Sequence, residues 1–221
     1  YMSRIDPESA AEAYIRLIGY AGATGAHMHI CHFNSSSKTD VERCAVLIAK
    51  AQAQGLPITV EAYPYGTGST VLAAAFFSDP EFEARNGLGY DSVQRVTDGR
   101  RFRDRKELLA AQAEEPSTLV LWHILDTENN PHHRDLLDIS VLYPGGAIAS
   151  DAMPWTLSDG SVYTGDAWPL PDDATSHPRS AGCFTRFIRE WVRERKKLSL
   201  LDGVRKCALI PAEILSRSTP A

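Results

Sequence analysis

Apolar positions recur at helical spacing in two early segments of the chain and alternate at strand spacing between and after them. Ala10, Ala13, Leu17 and Tyr20 share one face, which predicts a helix over 9–20, capped by Asp6-Pro7-Glu8 and closed by Gly22 and Gly25. Residues 26–33 read as a strand. Val41, Ala45, Ile48 and Ala49 predict a second helix over 39–54, stopped by Gly55. Over 57–65, Ile58, Val60 and Ala62 alternate with Thr59, Glu61 and Tyr63, the period of the next strand. Strand, helix and strand in that order argue for parallel βαβ units.

Further along the pattern is less regular. Residues 66–90 read as a long connection, too long for a plain turn and therefore a candidate active-site loop. A helix is predicted over 106–115, a strand over 118–124, an element near 133–142 and a strand over 147–150. The stretch 158–180, rich in Gly, Pro and Asp, reads as an ordered lid or loop, and helices follow over 184–197, 200–207 and 211–215. The later strands of a (β/α) barrel are legible and its opening strands are not. With Tyr1 in place of an initiator methionine, the chain is read as the later part of a longer enzyme.

Composition narrows the function classes. With 221 residues, 43% of them hydrophobic, the chain can bury a sizeable core as one domain. A net charge of −5 argues against a polyanionic partner, and the basic run from Arg95 to Lys106 is interleaved with Asp98, Asp104 and Glu107, so no nucleic acid is expected. No segment approaches the ~20 apolar residues of a membrane span. Cys31, Cys44, Cys183 and Cys207 are scattered without a C-x-x-C pair, which suits free thiols in the cytoplasm.

The candidate chemistry lies at strand ends. Asp151 ends the apolar run GAIASDAMPW, and a carboxylate at a strand mouth with a His-Pro-Arg turn beyond it is the layout of a barrel active site. In AHMHICHFN, alternation sets His32 with Met28 and Ile30, and turns His27, His29 and Cys31 to the other face. His32, Glu61 and Asp151 together are a ligand set for Zn²⁺ or another divalent metal. His123 ends the strand LVLWHI and is a further candidate, whereas His132-His133 beside Asn129-Asn130-Pro131 reads as a helix start.

VEAYPYGTGST, SDA, HPRSAGCFTRF and LSLLDGVRKCALIPAEIL, in this order, resemble the D-aminoacylase (N-acyl-D-amino acid deacylase) branch of the amidohydrolase superfamily, over roughly three quarters of the chain. The resemblance implies an α/β fold, a (β/α)₈ barrel of which strands 4 to 8 and their helices are present across 1–221 and the accompanying β-sandwich is absent. Tyr1-Met2-Ser3 would end the fourth strand. It implies zinc-dependent hydrolysis of the amide of N-acyl-D-amino acids, with His32, Glu61 and Asp151 on the metal, Glu61 or its neighbour Tyr63 at the sixth-strand position, and Asp151 as general base. Arg179 would receive the substrate carboxylate, with His177 and Tyr63 beside it as substrate contacts.

The chain departs from the family pattern at Asn34, where the family has lysine, and at Ala152, where it has glycine. The family's first-strand H-x-H would lie upstream of Tyr1. Two readings follow. One is a metal-dependent amide hydrolase acting on a small carboxylate-bearing substrate. The other is an incomplete, non-catalytic α/β piece that binds or packs, as a homo-oligomer or against a missing N-terminal half.

Overall fold

The computed structural model describes residues 10–218. The expected cap at Asp6-Pro7-Glu8 and the strand end at Tyr1-Met2-Ser3 lie outside them. Along the chain the elements run α1 (Ala10–Thr24), β1 (Met28–Ile30), α2 (Phe33–Ser37), α3 (Val41–Ala53) and β2 (Ile58–Ala62). There follow β3 (Thr67–Val71), α4 (Phe82–Asn86), β4 (Val93–Arg95), α5 (Arg105–Glu114) and β5 (Leu119–His123). The last are α6 (Pro131–Leu142), β6 (Ala147–Ile148), α7 (Arg179–Phe187), α8 (Leu200–Cys207) and α9 (Leu209–Ser218). The described residues form two compact units, one of 10–66, 125–151 and 182–218, the other of 67–124 and 152–181.

The first unit carries the parallel sheet. β2 lies between β1 and β6 and pairs with both in parallel, Met28 opposite Ile58, His29 opposite Thr59 and Glu61 opposite Ala147. Ile58, Thr59, Val60 and Ala62 are all buried, as in a parallel strand covered on both faces. α3 completes the βαβ crossover by burying Val41, Cys44, Ile48 and Ala51. α1 buries Ala10, Ala11, Ala13 and Ala21 beside Tyr14, small residues that let a helix approach its neighbours closely, and Gly25 ends it at φ 68°. Asn130 caps α6 through the amides of His132 and His133, with Pro131 in the first turn.

Two buried polar ties hold this unit's later helices. Asp138 of α6 accepts from Trp191 Nε1 at 2.9 Å and from both terminal nitrogens of Arg195. The Arg195 end reaches back because 188–194 is wound as a π-helix, its widened turn marked by the Arg195 amide donating to the Glu190 carbonyl at 2.9 Å. Lys206 of α8 is buried and donates to the carbonyls of Tyr143 and Gly146 at 2.8 and 2.6 Å, which anchors α8 to the turn before β6. Burial pushes its ammonium down to about 8.

The second unit corrects the reading of the middle of the chain. β3, β5 and β4 form an antiparallel sheet in that order, Thr67 opposite His123 and Val93 opposite Trp122. The stretch 66–90 is therefore structured rather than a long loop, and 118–124 is not a strand of a parallel sheet. An aromatic cluster fills this unit: Trp122, 1% exposed, packs against Phe76, Phe77 and Phe82 with ring centroids 5.3 to 5.9 Å apart. The stretch 158–180 is tied to its own ends, Thr156 bridging both Val162 and Thr175.

No helix among the described residues is long and apolar enough to cross a membrane. The four cysteines are free thiols.

Candidate metal centre

The parallel register of β1 and β2 decides which side chains meet. His29 lies opposite Thr59, and two residues on come Cys31, just past the end of β1, and Glu61 within β2, so H-x-H-x-C and T-x-E run side by side. The donor atoms of His29, Cys31 and Glu61 all lie within 4.8 Å of one another, and His29 Nε2 is 3.2 Å from Glu61 Oε2. His29 and Glu61 are half-buried and Cys31 is exposed.

Thr59 organises the histidines. Its hydroxyl is 2.8 Å from His29 Nδ1 and 2.8 Å from His27 Nε2. When His29 presents a bare Nε2 to a cation, its Nδ1–H donates to the Thr59 oxygen and the Thr59 O–H donates on to His27, the usual outer support of a ligating imidazole. That order needs a neutral His27. Burial, followed by the charges of His29 and Arg217, pulls the pKa of His27 below its ordinary value.

Asp151 follows β6 at φ 48°, a left-handed conformation that non-glycine residues adopt mainly in functional or tightly held places. It stands near the same cluster: the Cys31 thiol is pushed up first by burial, then by the charges of Glu61 and Asp151.

The expected facing of the first strand is corrected. β1 ends at Ile30, and alternation does not extend to His32, whose φ of 38° turns the chain into α2. His32 Nδ1 lies 2.8 Å from Ser36 Oγ inside that turn, while His29, expected to point away, shares its face with Thr59 and Glu61. Of the expected ligands, Glu61 belongs to the cluster, Asp151 follows the neighbouring strand β6, and His32 heads the adjoining helix. The two donors that sequence reasoning missed, His29 and Cys31, had a usable signal in H-x-H-x-C set against T-x-E one strand later.

A sulfur, an imidazole nitrogen and a carboxylate oxygen converging at strand ends are the donor types of zinc sites. The model of the amidohydrolase family matches residues 9–219. The chain belongs to that family. No curated protein matches this amidohydrolase significantly.

Solved structures similar to this amidohydrolase include an N-acyl-D-glutamate deacylase from Bordetella bronchiseptica, complexed with zinc and a phosphonate inhibitor, at 19% identity and TM-score 0.62. It covers 93% of this chain, which in turn spans 39% of its length. A D-aminoacylase matches at 19% identity and TM-score 0.65, covering 95% of this chain and 40% of its own. A second D-aminoacylase structure, described by its binuclear metal centre, matches at 18% identity and TM-score 0.64, covering 96% and 40%. At such identity the likeness is one of fold, and the chain spans about two fifths of these proteins.

The remaining expected residues have definite places. Tyr63 is buried, and its carbonyl and that of Tyr65 accept from the Asn34 amide at 3.1 and 2.9 Å, so Asn34 fixes the turn after β2. In the second unit, His177 is 1% exposed with both ring nitrogens against backbone groups, Arg179 N and Thr67 O, each at 2.9 Å. Its ring nitrogens are therefore engaged by the protein itself. Arg179 is likewise buried. His123 packs in the antiparallel sheet, Nε2 against Gln94 Oε1 at 2.7 Å. His132 and His133 sit in the first turn of α6, as expected.

Proposed function

We propose that this chain is the metal-holding later part of a (β/α)₈ barrel that hydrolyses the amide bond of N-acyl-D-amino acids or related amides in the cytoplasm. The observation that carries this reading is the convergence of His29, Cys31 and Glu61 at the ends of parallel strands, with Asp151 at the end of the next. The donor set fits zinc. When bound there, a zinc ion supplies the Lewis acidity that polarises a scissile carbonyl and makes water a nucleophile.

The protein's own residues do the rest. Asp151 takes the proton of the attacking water on a carboxylate oxygen and returns it to the leaving amine nitrogen. Thr59 and His27 hold the His29 ring in one orientation. Arg179 receives the substrate α-carboxylate as a planar bidentate donor. The remaining barrel strands are supplied by a further segment packing against this one, and the partners are small carboxylate-bearing substrates rather than nucleic acid or membrane.

Metal analysis and zinc titration of purified variants test the assignment. His29→Ala, Cys31→Ser and Glu61→Gln are each expected to weaken zinc binding at least ~10-fold, the scale of loss for groups that hold or orient a metal. His32→Ala is expected to leave it within about threefold. In the active protein, Asp151→Asn is expected to keep the metal and lower kcat by ~10²-fold or more. Loss of zinc in His32→Ala with retention in His29→Ala and Cys31→Ser would move the site to His32, and near wild-type turnover in Asp151→Asn would remove the general base.

A further inference from the structure

We propose that His177 is the positioning residue of Arg179: a neutral imidazole locked in one tautomer that caps the first turn of α7 and fixes the direction of the Arg179 backbone. The inference rests on the reading of Arg179 as the receiver of the substrate carboxylate.

The chemistry of the partners dictates the state of the ring. The Arg179 amide can only donate, so His177 Nδ1, 2.9 Å away, must present its lone pair. The Thr67 carbonyl can only accept, so Nε2, 2.9 Å from it, must carry the hydrogen. No other tautomer satisfies both, and the ring is 1% exposed, so water does not substitute. His-Pro-Arg thereby acquires a mechanical meaning. Pro178 has no N–H to satisfy, which leaves the Arg179 amide as the first one the helix start must provide for, and the imidazole does this where Ser or Asp would usually stand. Ser180 N closes the turn on the His177 carbonyl at 2.9 Å.

Thr67 is itself held. Its hydroxyl is 3.3 Å from His123 Nδ1, His123 Nε2 is 2.7 Å from Gln94 Oε1, and Gln94 Nε2 donates to the Gly99 carbonyl at 2.8 Å. Because the Gly99 carbonyl fixes the Gln94 amide, Gln94 Oε1 must accept from His123 Nε2–H, and His123 Nδ1 must accept the Thr67 O–H. The two histidines thus share one tautomer and flank one residue of β3. Arg179 is buried, so its guanidinium follows the backbone that His177 sets rather than relaxing into solvent.

The test uses long-range ¹H–¹⁵N correlation spectra of ¹⁵N-histidine-labelled protein together with kinetics on N-acetyl-D-leucine and its α-carboxamide. Both His177 and His123 are expected to show a protonated Nε2 and a bare Nδ1; a protonated Nδ1 at His177 overturns the proposal. His177→Leu, which removes cap and tie, is expected to raise KM for the free acid roughly tenfold, with kcat and the carboxamide little changed. His177→Asn keeps a capping acceptor and is expected to recover most of that loss. A folded His177→Leu protein with unchanged KM for the free acid, or with equal losses on both substrates, overturns it; if His177→Leu does not fold, His177→Asn with a loss as large as tenfold does so. Should Arg179→Lys leave KM for the free acid unchanged, the carboxylate role of Arg179 fails, while the tautomer assignment is still judged by the spectra.

Discussion

His29 and His177 are the same residue in two different settings. At His29 both ring nitrogens meet side chains: Nε2–H donates to the Glu61 carboxylate and Nδ1 accepts from the Thr59 hydroxyl, and because that hydroxyl can also accept, the ring can move its proton to Nδ1 once a cation takes its place between Nε2 and Glu61. At His177 both meet backbone groups with fixed roles, and the ring has one permitted state. A histidine that must exchange a proton for a cation needs the first arrangement. One that must hold a turn needs the second. The contrast extends to the units around them: the antiparallel unit gathers Phe76, Phe77 and Phe82 around Trp122, while the parallel unit adds buried polar ties at Asp138 and Lys206 to its apolar core.

The sharpest way to break the comparison is to remove the aromatic anchor. Trp122→Ala is expected to cost about 3–5 kcal/mol, read as a lowered midpoint in urea, because a 1% exposed indole surrounded by three phenylalanines leaves a cavity that rigid rings cannot fill. Zinc affinity, measured below the transition, is expected to stay unchanged, since Trp122 and the donors belong to different units. A loss below about 1 kcal/mol would mean that the rings are not the source of cohesion.

The polar side of the comparison is tested at Asp138. Asp138→Ala strands the Trp191 N–H and the Arg195 guanidinium, and a loss of roughly 2–4 kcal/mol is expected, reduced from the fully buried value because Arg195 keeps 30% of its side-chain surface exposed. Denaturant titration of the variant measures it. Asp138→Asn, which still accepts from Trp191, is expected to fall between.

The smallest effect concerns Lys206 and pH. Its folded pKa of about 8 lies below the ordinary 10.5, so between those values the unfolded chain binds more protons and stability rises with pH. The penalty is fully present below about 8. Above about 9 the Cys44 and Cys207 thiols, pushed up by burial to about 12 and about 11, act with the opposite sign, because the folded state then keeps protons that the unfolded chain releases. The useful window is therefore pH 8 to 9, where a gain of about 1 kcal/mol is expected, and Lys206→Met is expected to flatten it. An equal slope in the variant would assign the effect elsewhere.

Much of the parallel unit was legible because its elements obey local rules. Ile58, Val60 and Ala62 alternate, Val41, Ala45, Ile48 and Ala49 recur at helical spacing, and Glu61 and Asp151 stand out as acids ending apolar runs. His29 and Cys31 were misplaced for one physical reason: alternation was carried past Ile30 into a left-handed turn at His32, where the period of 2 no longer applies. β3 was invisible because Thr67-Gly68-Ser69-Thr70-Val71 lacks apolar alternation and owes its strand form to β5, some 50 residues away. The capping role of His177 was hidden for a similar reason, since nothing local announces that a ring nitrogen will face the amide two residues on.

The π-helical turn at 188–194 limits which length changes this helix can tolerate. Such a turn is an α-helix with one residue too many, and that surplus turns everything after it by about 100° relative to an uninterrupted helix. Here the rotation is what carries Arg195 round to Asp138. Removing one residue from 188–194 is therefore expected to swing Arg195 away from Asp138, so the widened turn and the buried ion pair stand or fall together.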